Sequence, residues 1–170
     1  MDIGCCDPEI RVRNNRTVQG SLNDARNFRQ VDDRLLTAGQ PSEAQLADAA
    51  RQGVTVVINL ALHDDARYSL SDEPGCVRGL AMHYVHIPVL FNEPTEENLR
   101  AFTEAMDAHK GEKILVHCAA NYRVTAFVGL YRVLCEGWPA EKAFEPMRSV
   151  WEPNAVWKQF IANMLQRTSP

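Results

Sequence analysis

No run in this 170-residue chain is long and apolar enough to span a bilayer, which takes roughly 20 consecutive apolar residues. Its beginning, Met1-Asp2-Ile3-Gly4-Cys5-Cys6-Asp7-Pro8, lacks the basic and apolar regions of a signal peptide. No disulfide framework is visible: the five cysteines are an odd count without a scaffold-like spacing. Together these absences predict a reducing, cytoplasmic setting and no membrane partner. Positive charge is not in excess either. Lys and Arg number 18 against 22 Asp and Glu, a net charge of −4, so a nucleic-acid partner is not expected. Arg11, Arg13 and Arg16 read as a solvated tail, and the adjacent Cys5 and Cys6 as part of that tail rather than a metal or redox pair. Repeats and low-complexity tracts are missing. So is a metal centre: His83 and His86, three apart on one predicted strand, point to opposite faces, while His63 and His109 fall in predicted loops.

What is present is an alternation of strands and helices in a length that suits one domain. Residues 1–25 read as a tail or extension and 26–167 as the domain. Ser42 and Gln45 form a capping box for a helix that Gly53 ends. Residues 54–60 (VTVVINL) are nearly continuously apolar, the pattern of a strand covered on both faces. A polar loop follows, with His63, Asp64, Asp65 and Arg67. A short helix is expected within 72–78, with Asp72 and Glu73 as acids complementing its dipole, and then a strand over 82–89. Pro94-Thr95 opens a helix carrying Leu99, Phe102 and Met106 on one face. Beyond a further strand, one helix is expected to present Phe127, Leu130, Tyr131 and Leu134 as a stripe before Gly137. Residues 140–144 read as helical up to a break or kink at Pro146, and a last helix follows Pro153. The pattern predicts an α/β fold with a mostly parallel central sheet flanked by helices, and ligands at the strand C-termini.

One segment stands out. Ile114-Leu115-Val116 reads as a buried strand; it runs into His117-Cys118-Ala119-Ala120-Asn121-Tyr122-Arg123-Val124-Thr125, and a helical pattern begins. Most free cysteines are packing residues, and Cys76, in a Gly-Cys loop, and Cys135, late in an apolar helix, fit that description. Cys118 does not. A thiol between a strand end and a helix start meets backbone N–H groups at the positive end of the helix dipole, which favours the nucleophilic thiolate. Arg123 adds a planar fork of donors for an oxyanion. A nucleophile and an anion clamp on one turn point to chemistry on a phosphoryl or similar tetrahedral group.

The His-Cys-x4-Arg segment resembles the phosphate loop of the cysteine-dependent protein tyrosine phosphatase superfamily, on its dual-specificity side. Arg26-Asn27-Phe28-Arg29-Gln30-Val31 and Leu35-Leu36-Thr37-Ala38-Gly39-Gln40-Pro41 are similar to the opening strands and turn of those domains. Residues 54–60 resemble the next core strand, and Tyr84-Val85-His86-Ile87-Pro88-Val89 the strand before the general-acid loop. Trp151-Glu152-Pro153-Asn154-Ala155-Val156-Trp157 resembles a segment of bacterial phosphatase-like proteins.

The resemblance implies a dual-specificity-phosphatase-like fold and a phosphorylated partner, protein or small molecule, with no cofactor and no metal; the residues set no oligomeric state. It implies that Cys118 is the nucleophile, and that Arg123 binds phosphate with the loop residues Ala119, Ala120, Asn121 and Tyr122. His117 would shape the loop. Tyr122 either packs or lines the pocket entrance, and the Thr125 hydroxyl bonds the thiolate or the backbone, or caps the helix.

The segment departs from the superfamily pattern at three points. Its loop is one residue shorter than usual, which matches the length of the rhodanese sulfurtransferase loop. Asn121 stands where Gly is usual, and Asn tolerates a left-handed backbone. Val124 follows the Arg, with the hydroxyl of Thr125 one later. The loop that normally supplies an Asp as general acid reads Leu90-Phe91-Asn92-Glu93-Pro94, leaving Glu93 as the candidate and Asp64 or Asp65 in reserve. A cysteine-dependent phosphatase is the first expectation. A sulfurtransferase working through a Cys118 persulfide is the second, and a non-catalytic phosphate-binding module the third.

Overall fold

In the computed structural model the described residues are 20–167; Cys5, Cys6, Arg11, Arg13 and Arg16 lie outside them. Five strands form one sheet: β1 (Arg29–Gln30), β2 (Leu35–Ala38), β3 (Val56–Asn59), β4 (His83–His86) and β5 (Ile114–His117). Their order is β1-β2-β5-β3-β4. Only the β1–β2 pair is antiparallel; β2–β5, β5–β3 and β3–β4 are parallel. This is the α/β, mostly parallel arrangement expected. β5 is the middle strand: Val116 sits opposite Thr37 and Ile58, and His117 opposite Ala38 and Asn59. Cys118 therefore leaves the centre of the sheet at the C-terminal edge of its parallel strands.

Strand parity divides the core. Ile114 and Val116 pack with Leu35, Val56 and Ile58 beneath α3 (Glu96–Ala108), α4 (Tyr122–Glu136) and α7 (Ala155–Gln166). Leu115 packs with Leu36 and Val57 against α1 (Glu43–Arg51) and α2 (Glu73–Gly79) on the other face. Helix starts follow local chemistry. Ser42 and Gln45 close the capping box of α1, Thr95 and Asn98 form another on α3, and Asp72 accepts from the Gly75 N–H at the head of α2. α4 ends at Gly137, left-handed at φ 71°.

Several expectations are corrected. α4 is buried from Arg123 to Arg132 rather than along one stripe, because α3, α5 (Ala140–Ala143), α6 (Glu145–Val150) and α7 all pack on it. The helical stretch from Ala140 does end at Ala143, ahead of Pro146, and Pro146 itself sits in the first turn of α6, where a missing N–H costs nothing. Cys76 is buried on α2, not in a loop, while Cys135 is exposed at the end of α4 rather than packed. The packed unit also begins upstream of residue 26. Leu22, in a 3-10 turn, is fully buried against α1 and α2, and its N–H donates to Asp48 Oδ2 at 2.8 Å. Among the described residues no helix is long and apolar enough to cross a membrane.

Candidate active site

The loop from Cys118 to Arg123 joins β5 to α4, and its shape is held from behind. Asn121 adopts φ 67°, ψ 11°, the left-handed conformation for which Asn is the best residue after Gly. It is the residue before α4, yet its side chain does not cap the helix. Instead Asn121 Nδ2 donates to the Asn27 carbonyl at 2.7 Å and to Thr37 Oγ1 at 3.0 Å. Asn27 Nδ2 returns a bond to the Ala120 carbonyl at 2.9 Å, and the Gln40 N–H donates to the Ala119 carbonyl at 3.1 Å. In a trans peptide the N–H opposes the C=O, so the N–H of Ala120 is turned away from the Gln40 anchor. The first-turn N–H groups of Tyr122, Arg123 and Val124 have no intrahelical acceptor. The loop and helix start thus present several donors at the positive end of α4. Gly39 permits the clasp: a Cβ there would meet the Ala119 carbonyl oxygen at 2.7 Å.

Cys118 is 1% exposed and lies in the cluster that holds Val89 and Val124. Arg123, on the first turn of α4, folds inward and is 9% exposed. Its Nη1 donates to the Val89 carbonyl at 2.8 Å, and its Nε is buried with no partner among the described residues. Among the described residues no carboxylate pairs with this guanidinium. A buried cation whose only protein acceptor is a carbonyl is costly, and it marks a place where an anion would bind favourably.

Aromatic side chains form one wall. The Tyr122 ring stacks on Trp151 at 4.8 Å with 4° between planes, and Phe91 packs on Tyr122, Trp151 and Trp157. Trp157 Nε1 donates to the Phe91 carbonyl at 2.8 Å and Trp151 Nε1 to Thr125 Oγ1 at 3.2 Å. Thr125 in turn reaches the carbonyls of Asn121 at 2.9 Å and Tyr122 at 3.1 Å, so of the roles open to its hydroxyl it takes the backbone contact. The segment after β4 is pinned at Val89 by Arg123 and at Phe91 by Trp157. Glu93 is exposed on the turn that follows, closed by its N–H to the Leu90 carbonyl at 3.1 Å.

The two reserve acids lie on the loop after β3. Asp64 is exposed. Asp65 is taken by Arg67 at 2.6 Å, and the Arg67 side-chain and backbone hydrogen bonds bring its carboxyl down to about 2. Among the described residues no group of three or more His, Cys, Asp or Glu is placed to hold a metal ion.

Behind the loop the structure assembles a polar network that sequence reasoning missed. His117 and Glu73 are both 0% exposed, and His117 Nε2 bonds Glu73 Oε1. Glu73 Oε2 accepts from Gln40 Nε2 at 3.3 Å and Asn59 Nδ2 at 3.4 Å. Tyr84 and His63 complete the cluster at 3.0 Å from each other, each 3.1 Å from Asn59 Nδ2. Burial works to raise the Glu73 carboxyl, but the charge and hydrogen bond of His117, aided by Gln40 and His63, prevail and hold it below the ordinary range. Burial and the charge of Glu73 push the Tyr84 phenol up to about 12. One signal for this cluster lay in the strand pattern. His117 shares the parity of Leu115, so it had to face α1 and α2.

Residues 27–134 match the family described as beta-lactamase hydrolase-like protein, phosphatase-like domain. The beta-lactamase hydrolase-like protein of Xylella fastidiosa (strain Temecula1) is 27% identical over 106 residues, 61% of this chain and 24% of that protein. The chain thus spans about a quarter of the length of the curated relatives it matches. A candidate phosphatase (DUF442) of Shewanella putrefaciens CN-32 superposes with a TM-score of 0.77 at 33% identity, covering 88% of this chain and 97% of that one. PTPMT1 in complex with PI(5)P reaches a TM-score of 0.67 at 18% identity, covering 84% and 99%; at that identity the likeness is one of fold.

Proposed function

The chain belongs to the phosphatase-like domain family of the beta-lactamase hydrolase-like proteins, and from that premise we propose that it hydrolyses a phosphomonoester through a phosphocysteine on Cys118. The observation that carries this reading is Arg123: a guanidinium turned into the loop, with a buried Nε that nothing in the described protein satisfies. A phosphoryl group supplies the missing acceptor oxygens in the bidentate geometry a guanidinium prefers.

In this mechanism the Cys118 thiolate attacks phosphorus, the S–P bond forms and the bond to the leaving oxygen breaks. Arg123 and the N–H groups of the loop and first turn hold the equatorial oxygens, and their donors are already in place when charge builds. Glu93, on the pinned loop after β4, gives the leaving oxygen its proton and then takes one from the water that cleaves the S–P bond. Phosphate leaves and the thiolate returns. The substrate is a phosphorylated protein or small molecule.

A steady-state assay with an aryl phosphate tests the reading. Turnover should vanish in Cys118→Ser, and equal rates in the two proteins would reject it. Glu93→Gln should barely slow an activated aryl phosphate, yet slow an alkyl phosphate by about 10²-fold or more, because only the poor leaving group needs the proton. The loop length favours one second reading, sulfur transfer through a Cys118 persulfide. Incubation with thiosulfate followed by mass measurement decides it: a gain of one sulfur atom on Cys118, without phosphoester turnover, would replace the first reading.

A further inference from the structure

An anion is drawn by N–H groups and repelled by carbonyl oxygens, and the loop from Cys118 to Arg123 carries both. Each of its carbonyls from Ala119 to Tyr122 is occupied by a donor. The Gln40 N–H takes that of Ala119 at 3.1 Å, and the Thr125 hydroxyl takes those of Asn121 at 2.9 Å and Tyr122 at 3.1 Å. The Ala120 carbonyl is held by a side chain from a remote segment: Asn27 Nδ2, ahead of β1, donates to it at 2.9 Å across 93 positions of sequence. Asn27 is itself left-handed at φ 52°, as Asn121 is at φ 67°, a conformation that costs any residue but glycine. The two are linked in both directions, since the Asn27 carbonyl accepts from Asn121 Nδ2 at 2.7 Å. The segment that delivers Asn27 is fastened as well. The Leu22 N–H donates to Asp48 Oδ2 at 2.8 Å, and the Arg26 carbonyl accepts from the Gly39 N–H at 2.6 Å.

We propose that Asn27 is a positioning residue for the anion loop: its side-chain amide holds the Ala120 carbonyl from behind, so that this dipole does not oppose the anion gathered by Arg123 and the loop donors. The inference rests on the reading of Cys118 to Arg123 as an anion cradle, and goes beyond it because Asn27 lies outside the loop and bonds only its backbone and the Asn121 side chain. The asparagine at 121 gains a second purpose here. A glycine at that position would accept the same backbone angle but could not reach the Asn27 carbonyl, so the departure from the usual loop pattern supplies half of the clasp. Without the Asn27 amide the Ala120–Asn121 peptide loses the donor that fixes its plane. Each anion bound would then have to reorder that peptide against its own charge, which a preorganised cradle avoids.

Two substitutions separate a donor from a filler. Asn27→Gly suits the left-handed backbone and keeps the carbonyl that Asn121 bonds, but has no amide. Asn27→Asp keeps the shape and the backbone tolerance, but turns the donor into an acceptor. The probe is inorganic phosphate, titrated calorimetrically into the full chain, with stability to denaturant measured alongside. The expected result is phosphate binding about fivefold or more weaker in both variants, and no tighter in Asn27→Asp than in Asn27→Gly. On an aryl phosphate, kcat/KM should fall in step. Loss in Asn27→Gly with normal binding in Asn27→Asp would make the side chain a filler. Loss in Asn27→Asp alone would make the effect one of added charge. Lower stability with unchanged affinity in the folded variants would make the role structural only. Each of these three outcomes overturns the proposal. Loss of affinity in both variants of a protein that turns over no phosphoester refutes the phosphatase reading and leaves this one standing; turnover that disappears in Cys118→Ser, with affinity unchanged in both Asn27 variants, does the reverse.

Discussion

Arg123 and Arg132 lie nine positions apart on the same buried helix, and their surroundings are opposite. Arg132 is 4% exposed and fully engaged: Nη2 meets Asp32 Oδ2 at 2.5 Å, Nε lies 3.9 Å from Glu136, and the guanidinium stacks over Trp138 at 4.2 Å. It closes the end of the sheet away from the loop, tying α4 to the turn between β1 and β2. Arg123, 9% exposed, has one carbonyl and an orphaned Nε. Two chemically identical side chains on one helix differ in whether the described residues supply a counter-anion. Where they do, the arginine is mortar. Where they do not, a desolvated positive charge is maintained at some cost.

The sharpest way to break this comparison is to replace each arginine by Met, which keeps the apolar length and removes the charge. Arg123→Met should lower kcat/KM on an aryl phosphate by about 10²–10³-fold and leave stability to denaturant unchanged or higher, since an unpaired buried cation is gone. Arg132→Met should do the reverse, costing about 1–3 kcal/mol of stability because Asp32 and Glu136 lose their partner, with activity of the folded protein close to normal. Equal losses of activity in the two variants would erase the distinction.

A second, smaller effect sharpens it. Inorganic phosphate should raise the melting temperature of the unaltered protein, by an amount equivalent to about 2.7 kcal/mol at a hundredfold excess over its dissociation constant. The shift should persist in Arg132→Met and disappear in Arg123→Met; protection that survives in Arg123→Met would place the anion elsewhere.

The smallest expected effect concerns Glu73, the buried carboxylate that bonds His117. Its carboxyl is held below its ordinary value of 4.5 in the folded protein. The stability it contributes is thus complete above that value and is lost as pH falls toward and through the folded one. Melting temperatures measured from neutral pH downward should fall more steeply in the unaltered protein than in Glu73→Gln once pH drops below 4.5. Parallel curves would mean that the His117 couple adds nothing to acid stability.

How far these features could be read in advance follows from the distance along the chain over which each is determined. The capping boxes at Ser42 and Thr95, the apolar strand around Val56–Asn59 and the left-handed turn at Asn121 all depend on residues within one turn of each other. So does the pairing of Cys118 with Arg123 on one loop, which is why the candidate site was legible. α4 was misjudged because its amphipathic period could not reveal helices arriving on its remaining faces. Cys135 was misjudged because the helix emerges from the core just before it. Glu73 looked like an ordinary first-turn acid, which it also is; its role depends on His117, 44 residues later.

Sequence alone was enough for the alternation of strands and helices, the place of the thiol at the C-terminal edge of a parallel sheet, and a guanidinium one turn away. These rest on backbone periodicity and on hydrogen bonds between near neighbours. Only the tertiary structure decided which buried arginine received a carboxylate, which acid reached His117, and that Tyr122 would lie flat on Trp151. Hydrogen bonds and ring contacts act over a few ångströms in space, and the chain order does not state which remote segments will be brought that close.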